Sequence, residues 1–145
     1  MREISIRLPF LLPTRNVQDR MHFHQKRELK DQIIREFLAA GVLPSAARAP
    51  MAFAEVTVWR HSTREPDVDG LYGSLKQMLD VIQPAGDLRK VGGKLQHANP
   101  GGLGIILNDG PSRLVVRPFW IKSRLSQQHT LIRIRELAEM PQVAP

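Results

Sequence analysis

The hydrophobic residues of this chain follow two different spacings in turn, and this alternation limits the folds open to it. Residues 3–8 alternate apolar and polar side chains, which predicts a strand with one buried face. Residues 26–40 place Leu29, Ile33 and Phe37 on one face of a helix. By the same criteria the rest of the chain is predicted to form a strand at 52–60, a helix at 67–82, and strands at 113–122 and 129–135. The order β-α-β-α-β-β predicts an α+β domain, with a small mixed sheet and two helices packed on one face.

The segments between these elements complete a single predicted domain over 1–145. Residues 43–51 are rich in proline and alanine and predict a connector. The glycine-rich segment at about 84–103 predicts an extended insertion rather than a regular element. The last two strands are joined by a short connection, so we predict that they are antiparallel neighbours. The tail at 137–145 is predicted to fray.

Charge and cysteine usage narrow the chemistry. Twenty-one Lys and Arg against fourteen Asp and Glu give a net charge of +7, which favours a polyanion such as nucleic acid, or an anionic membrane surface. The absence of cysteine excludes disulfide scaffolds, thiolate metal sites and cysteine nucleophiles. There is no apolar run of the roughly 18 residues that a spanning helix needs, and no signal-peptide core. We therefore expect no membrane association and a cytoplasmic location.

Acidic residues are the minority in this chain, so their clustering is informative. Asp67 and Asp69 flank the start of the second predicted helix, and Asp109 lies in a turn before the third strand. A hard cation such as Mg²⁺ relieves the repulsion among clustered carboxylates, since it prefers oxygen ligands. The alternative interpretation is structural: a helix cap, a first-turn acid and a turn former.

The second helix adds a basic residue to this set. If 67–82 is one helix, Asp69, Lys76 and Asp80 lie within about 20° of one another, away from the apolar face. Lys76 could then orient a phosphate or stabilise developing negative charge; the alternative is a surface pair with Asp80. Asp80 would lie ~16 Å along the axis from Asp69, so it is predicted to support the site rather than share a metal.

Residues 14–26 are polar and basic and predict a loop that enters a helix near Asp19. A basic cluster surrounds this first predicted loop, beside the apolar Met21 and Phe23, and bases can stack on aromatic rings. The pair His22 and His24 lacks a third metal ligand, so DNA contact or plain surface exposure is the better interpretation. The glycines of 92–104 do not match a nucleotide-binding loop, and no nucleotide cofactor is expected. The predicted DNA-binding residues are Arg15, Asn16, Arg20, His22, His24, Lys26, Arg27, Lys122 and Arg124.

Several short motifs in the right order resemble the RusA family of Holliday-junction resolvases, and its phage-type members in particular. They are the run from Asp67 to Leu71, then Gly73, Leu75-Lys76, Leu79-Asp80, Gly104-Ile105-Ile106, Asn108-Asp109 and Pro111, with Leu8-Pro9 and the stretch from Pro13 to Asn16 before them. The resemblance implies a metal site of Asp67, Asp69 and Asp109, a Lys76 needed for cleavage, and Mg²⁺ or Mn²⁺ as cofactor. It also implies a RusA-like fold, and a bacterial or phage-encoded homodimer that resolves four-way DNA junctions by paired nicks.

The chain departs from the family pattern at three places. Gly70 stands where Asn is usual, which removes a hydrogen bond near the site. Asn108 replaces an Asp, which loses a charge but keeps an oxygen near the predicted metal. The insertion at about 84–103 lengthens the path to Asp109. Two other functions stay open: a DNA-binding module without catalysis on the same fold, and a nuclease for other branched or single-stranded DNA.

Overall fold

The computed structural model describes residues 1–42 and 49–142. Most of the predicted connector, 43–48, and the end of the predicted tail, 143–145, lie outside the described residues. Residues 137–142 contain no helix or strand. The elements are β1 (Glu3–Leu8), α1 (Arg15–Asp19), α2 (Phe23–Ala39), β2 (Ala54–Ser62), α3 (Val68–Gly73), α4 (Lys76–Ile82), β3 (Leu88–Val91), β4 (Lys94–His97), β5 (Leu114–Lys122) and β6 (His129–Glu136).

A four-stranded mixed sheet in the order β1-β6-β2-β5 is the centre of an α+β fold. β6 runs antiparallel to both β1 and β2, whereas β5 runs parallel to β2. Helix α2 packs against β1 and α4, while α3 packs against β5. The predicted class, a small mixed sheet with helices, is therefore confirmed at this level. No helix among the described residues is long and apolar enough to cross a membrane.

The prediction that the last two strands are neighbours is wrong. β6 lies between β1 and β2, and β5 pairs with the other side of β2. Proline explains this placement: Pro118 in the middle of β5 has no N–H to donate, so β5 suits a sheet edge. β6 contains no proline and can pair on both sides, with Ile132 and Ile134 fully buried.

The hydrophobic core lies on the helix-covered side of the sheet. Because side chains alternate along a strand, Ile6 and Leu8 of β1 both point into the core. The helical spacing of α2 places Ile33 and Phe37 in the same core. The other sheet face carries no helix among the described residues. Its side chains are Glu3, Ser5 and Arg7 of β1, His129, Leu131, Arg133 and Arg135 of β6, Glu55, Thr57, Trp59 and His61 of β2, and Val115, Arg117, Phe119 and Ile121 of β5.

The described residues form four α-helices rather than the two predicted. The predicted loop before α2 contains the short helix α1, and the predicted helix at 67–82 is broken at Ser74 and Leu75. At the break the Ser74 hydroxyl donates to the Leu71 carbonyl at 2.6 Å, and the Ser74 carbonyl accepts from Gln18. The break means that Asp69 and Asp80 do not lie on one continuous helical stripe.

The predicted extended insertion at about 84–103 contains a β-hairpin instead. β3 and β4 pair antiparallel through a turn at Gly92 and Gly93, whose φ angles are 57° and 80°. Two successive positive φ angles are what a tight hairpin turn requires, and glycine adopts them without steric cost. The glycines there are turn residues, which the composition of the segment did not distinguish from an irregular loop.

Candidate functional site

Three connections meet at one end of the sheet. Leu8, at the end of β1, pairs with Thr130 of β6. Thr130 also pairs with Arg60, near the end of β2. β5 ends at Lys122, paired with Ser62 at the end of β2. The segments that leave these three strand ends include α1, the start of α3, and the stretch with Lys122 and Arg124, so most of the predicted functional residues share this end.

The contact between α1 and α3 is built from Arg15. Its Nη1 donates to Oδ1 of Asp69 at 2.8 Å, and its Nε lies 3.7 Å from Oδ2 of Asp19. The helices approach closely because Gly73 has no side chain: a Cβ there would meet the Cβ of Arg15 and lie 2.9 Å from its Cγ. This close approach explains a glycine that helix propensity disfavours.

A buried glutamine holds α1 against the break between α3 and α4. Nε2 of Gln18 donates to the carbonyls of Pro13 at 2.7 Å and Ser74 at 3.0 Å. The side chain is only 4% exposed. Its Oε1 is buried and has no hydrogen-bond partner among the described residues. A buried oxygen without a donor is costly, so this atom is suited to a ligand, a cation or a water.

These residues line a cleft of about 460 Å³ between α1, the start of α2, α3 and α4. The cleft joins Asp69 and Lys76 of the predicted catalytic set to Arg15 and Lys26 of the predicted DNA-binding set. Three cationic and two acidic side chains therefore face one small space. The complete lining is Arg15, Gln18, Asp19, Lys26, Asp69, Tyr72, Gly73, Lys76 and Gln77.

Asp67 has a structural task beside this cleft. Its Oδ1 accepts a hydrogen bond of 2.6 Å from the backbone N–H of Gly70, which caps α3. The cap accounts for Gly70, since a Cβ at that position would lie 2.7 Å from the same carboxylate oxygen. The structural alternative weighed for Asp67 is therefore seen in the structure, and it does not exclude a second role for the other oxygen.

The structure does not bring Asp109 together with Asp67 and Asp69 in one chain. Asp109 precedes the start of β5, where Leu114 pairs with Ala54 at the start of β2. Asp67 follows the other end of β2, beyond Ser62. Nine residues of parallel strand, about 26 Å, separate the two ends. The described residues contain no group of three His, Asp or Glu side chains that could hold one metal ion.

Two further residues predicted to support the metal site have other contacts. Oδ1 of Asn108 accepts from the N–H of Gly110 at 2.9 Å, so Asn108 is a turn former. The backbone carbonyl of Asp80 accepts from Nδ2 of Asn99 at 2.6 Å, and the Asp80 side chain does not line the cleft. Neither hydrogen bond involves Asp69.

The remaining predicted DNA-binding residues do not line the cleft. Asn16, Arg20, His22, His24 and Arg27 are exposed on α1, at its end and on the first turns of α2. The side chain of Gln25 accepts from the N–H of His22 at 2.8 Å, which fixes the start of α2. Lys122 and Arg124 are exposed at the end of β5. The surface that carries them is therefore rich in donors and cations.

Arg60 of β2 contacts the segment that precedes α1. It faces the helix-covered side of β2, where its Nη1 donates to the carbonyl of Leu12. Burial lowers the pKa of the Arg60 guanidinium from its ordinary value, because the charged form loses hydration. The sequence analysis did not single out Arg60; an arginine at an inward position of a predicted strand is the signal that could have identified it.

The sequence analysis also missed Gln18, Asp19, Tyr72 and Gln77 in the cleft. Gln18 and Asp19 lie in the stretch 14–26, where the sequence predicts a loop entering a helix near Asp19. Tyr72 and Gln77 lie within 67–82, where it predicts one continuous helix. No protein-family model matches this chain, and no curated protein matches it.

Proposed function

We propose that this protein is a Mg²⁺-dependent, structure-specific endodeoxyribonuclease that resolves four-way DNA junctions. The observation that carries the proposal is the cleft in which Asp69 and Lys76 face Arg15 and Lys26. Residues far apart in sequence converge there as an acid among cations, which suits a phosphodiester held beside a metal ligand. The choice of the four-way junction as substrate rests on the resemblance to the RusA family.

Electrostatics support a nucleic-acid substrate. The net charge of +7 attracts a polyanion at long range, and the cations around the cleft would contact successive phosphates. Lys76 and Lys26 can bind a phosphate as point charges, while Arg15 holds Asp69 in place at 2.8 Å. In this arrangement the chain orients the phosphate and neutralises its charge, which is most of what phosphodiester cleavage requires from side chains.

The cleft offers oxygen ligands for a small cation, but not the three-acid set that the resemblance implies. Asp69 and Gln18 line the same space, with Asp67 adjacent on the same turn. Mg²⁺ usually takes only one or two carboxylates from the protein, together with waters and substrate phosphates. When bound, such an ion supplies an activated water and charge neutralisation. Asp109 is left out of this ligand set.

A homodimer is part of the proposal, because paired cuts require two sites. The face of the sheet without helices presents an apolar surface for it: Phe119 is 46% exposed and Ile121 is 41% exposed, next to Trp59. Arg117 and Arg135 on that face each pair with Glu55 within the chain at 3.0 Å. Ion pairs formed inside the chain reduce the repulsion between two copies that meet through this face.

A second candidate is a DNA-binding module without catalysis. It is favoured by the same contacts that occupy the acids: Asp69 is already paired with Arg15, and Asp67 caps α3. A cation would have to compete with Arg15 for Asp69. A third candidate, a nuclease for flaps or single strands, shares the chemistry and differs only in the substrate.

Cleavage of a labelled four-way junction in Mg²⁺ or Mn²⁺ tests the proposal. We expect the Asp69→Asn and Lys76→Gln variants to lose cleavage by about 100-fold or more, while Asp31→Asn, an exposed acid on α2, cleaves as wild type. Junction binding in EDTA without cleavage in either metal selects the binding module. Faster cleavage of a flap or a single strand than of the junction selects the third candidate.

A further inference from the structure

The β3–β4 hairpin is a two-stranded ribbon without cover. All eight strand residues are exposed, including Leu88 at 60% and Leu95 at 68%. The segment from 88 to 97 contains three cations and no acid. An isolated hairpin is only marginally stable in water, so a charged, uncovered ribbon is suited to ordering against a partner.

The strand register sorts the ribbon residues onto two faces. Arg89 is opposite Gln96 and Val91 is opposite Lys94, so these four side chains share one face. That face is polar and cationic. The other face carries Leu88, Lys90, Leu95 and His97 and is more apolar.

The base of the ribbon is fixed to two helices through Asn99. Its Nδ2 donates to the carbonyls of Asp80 at 2.6 Å and Pro84 at 3.2 Å, and its Oδ1 accepts from Nζ of Lys30 at 2.9 Å. A ribbon fixed at its base projects in a defined direction, which a flexible loop does not.

The anchor places the ribbon beside the cleft. Lys30 follows the cleft residue Lys26 by one turn of α2, and Asp80 follows the cleft residue Lys76 by one turn of α4. Each step of four residues is about 6 Å along a helix axis. A duplex with a backbone phosphate in the cleft therefore passes close to the base of the ribbon.

We propose that the ribbon binds in the major groove of a duplex DNA arm next to the cleft, an inference that rests on the proposed action on DNA. The major groove, about 12 Å wide, admits a two-stranded β-ribbon. Arg89 and Lys94 supply positive charge on the face that enters. Arg89 and Gln96, opposite each other, carry the side chains that contact guanine and adenine edges in pairs of hydrogen bonds.

The charge of the cationic ribbon face favours DNA over a second copy of the chain as its binding partner. Two copies meeting through this face in a two-fold arrangement would set Arg89 and Lys94 against the same cations, with no acid in the ribbon to pair with them. A duplex brings negative charge along the whole groove.

The test compares two variants with the same loss of charge. The ribbon variant is Arg89→Gln/Lys94→Gln; the control is Arg35→Glu on α2, where Arg35 is exposed and the charge falls by the same two units. Affinity for a fluorescein-labelled duplex and for a four-way junction is measured by anisotropy over a range of salt. Methylation of guanine N7 by dimethyl sulfate reports on the major groove directly.

We expect the ribbon variant to bind at least about tenfold more weakly, with a shallower salt dependence and loss of guanine protection, while the control changes little. Single-turnover cleavage at saturating junction should stay as in wild type. Equal binding and equal guanine protection by wild type and the ribbon variant, with the wild type still cleaving junctions, would overturn this inference and leave the proposed function intact. A wild type that binds no DNA would overturn both.

Two other results also overturn it. One is a change of oligomeric state in the Leu95→Asp variant, measured by sedimentation, which would make the ribbon a protein interface. The other is binding of the wild type to vesicles of anionic lipid that the ribbon variant loses, with DNA affinity unchanged, which would make it a membrane contact.

Discussion

Arg15 and Asp69 are 54 positions apart in the sequence and form a hydrogen-bonded ion pair at 2.8 Å between α1 and α3. Both side chains are largely exposed, so water and salt screen the pair and its contribution to folding is small. Its consequence lies in geometry: it holds Asp69, which shares the cleft with Lys26 and Lys76, at a fixed place. The pair also means that any cation at Asp69 competes with a guanidinium.

The first prediction separates binding from stability at Arg15. We expect Arg15→Gln to change the free energy of unfolding by less than about 0.5 kcal/mol, because the pair is exposed. Duplex and junction DNA should bind more weakly, with a salt slope smaller by about one unit, because the cleft loses one of its three cations. Urea unfolding and anisotropy measure the two quantities. Arg35→Gln on α2 is the control, and a similar loss of affinity there would refute a specific role for Arg15.

The second prediction concerns the close approach at Gly73. Helix propensity alone says that Gly73→Ala should stabilise α3 by up to about 1 kcal/mol. We expect the reverse, a loss of about 1–3 kcal/mol, because the added Cβ meets the Cβ and Cγ of Arg15 near the backbone of α1. The Arg15→Gly/Gly73→Ala double variant removes the clash and should lose much less than the sum of the two single changes. Additivity in that cycle would contradict the packing argument.

The third prediction concerns Asp109. Because Asp109 lies at the opposite end of β2 and β5 from Asp69, Asp109→Asn should keep junction cleavage within about threefold of wild type. If this variant is instead as inactive as Asp69→Asn, mixing the two inactive variants decides the cause. Activity recovered by mixing would show that two chains share one site, and no recovery would show that the single-chain arrangement is different from the one described.

The fourth prediction is a pH dependence at the pair that joins the first and last strands. The hydrogen bond from Arg2 to Glu136, 3.1 Å long, lowers the pKa of Glu136 in the folded chain. A lowered folded-state pKa stabilises the fold above the unfolded pKa, and this contribution disappears as the pH falls through the folded value. Glu136→Gln should therefore cost up to about 1 kcal/mol at pH 7, and this cost should shrink steadily as the pH falls below the ordinary pKa of a glutamate. Urea unfolding of both proteins over a series of pH values measures this, and a constant difference would contradict it.

The fifth prediction tests the sheet face proposed for dimerisation. Phe119 stacks with Trp59 at 6.4 Å and is 46% exposed on that face. We expect Phe119→Glu to shift a dimer to monomer in sedimentation velocity, because a charge would be buried between the two copies. Leu95→Glu on the ribbon is the matched exposed control. A wild type that is monomeric at all concentrations, or a Phe119→Glu dimer, would exclude this face.

The sequence by itself determined the local elements. Period-two alternation in 3–8 and the helical spacing of Leu29, Ile33 and Phe37 predicted β1 and α2, because an element can bury its apolar face in only one conformation. The cap at Asp67 was also readable, since a carboxylate before a helix start has backbone N–H groups beside it.

Only the tertiary structure decided what lies next to what. Strand order depends on which strands can pair on both sides, so β6 took the place between β1 and β2 that chain order assigned elsewhere. The break at Ser74 depends on Gln18, 56 positions away, and the place of Asp109 depends on the parallel register of β5 with β2. Contacts between distant segments leave no periodic signal in the sequence, so the cleft around Asp69 emerged only once α1, α3 and α4 were packed together.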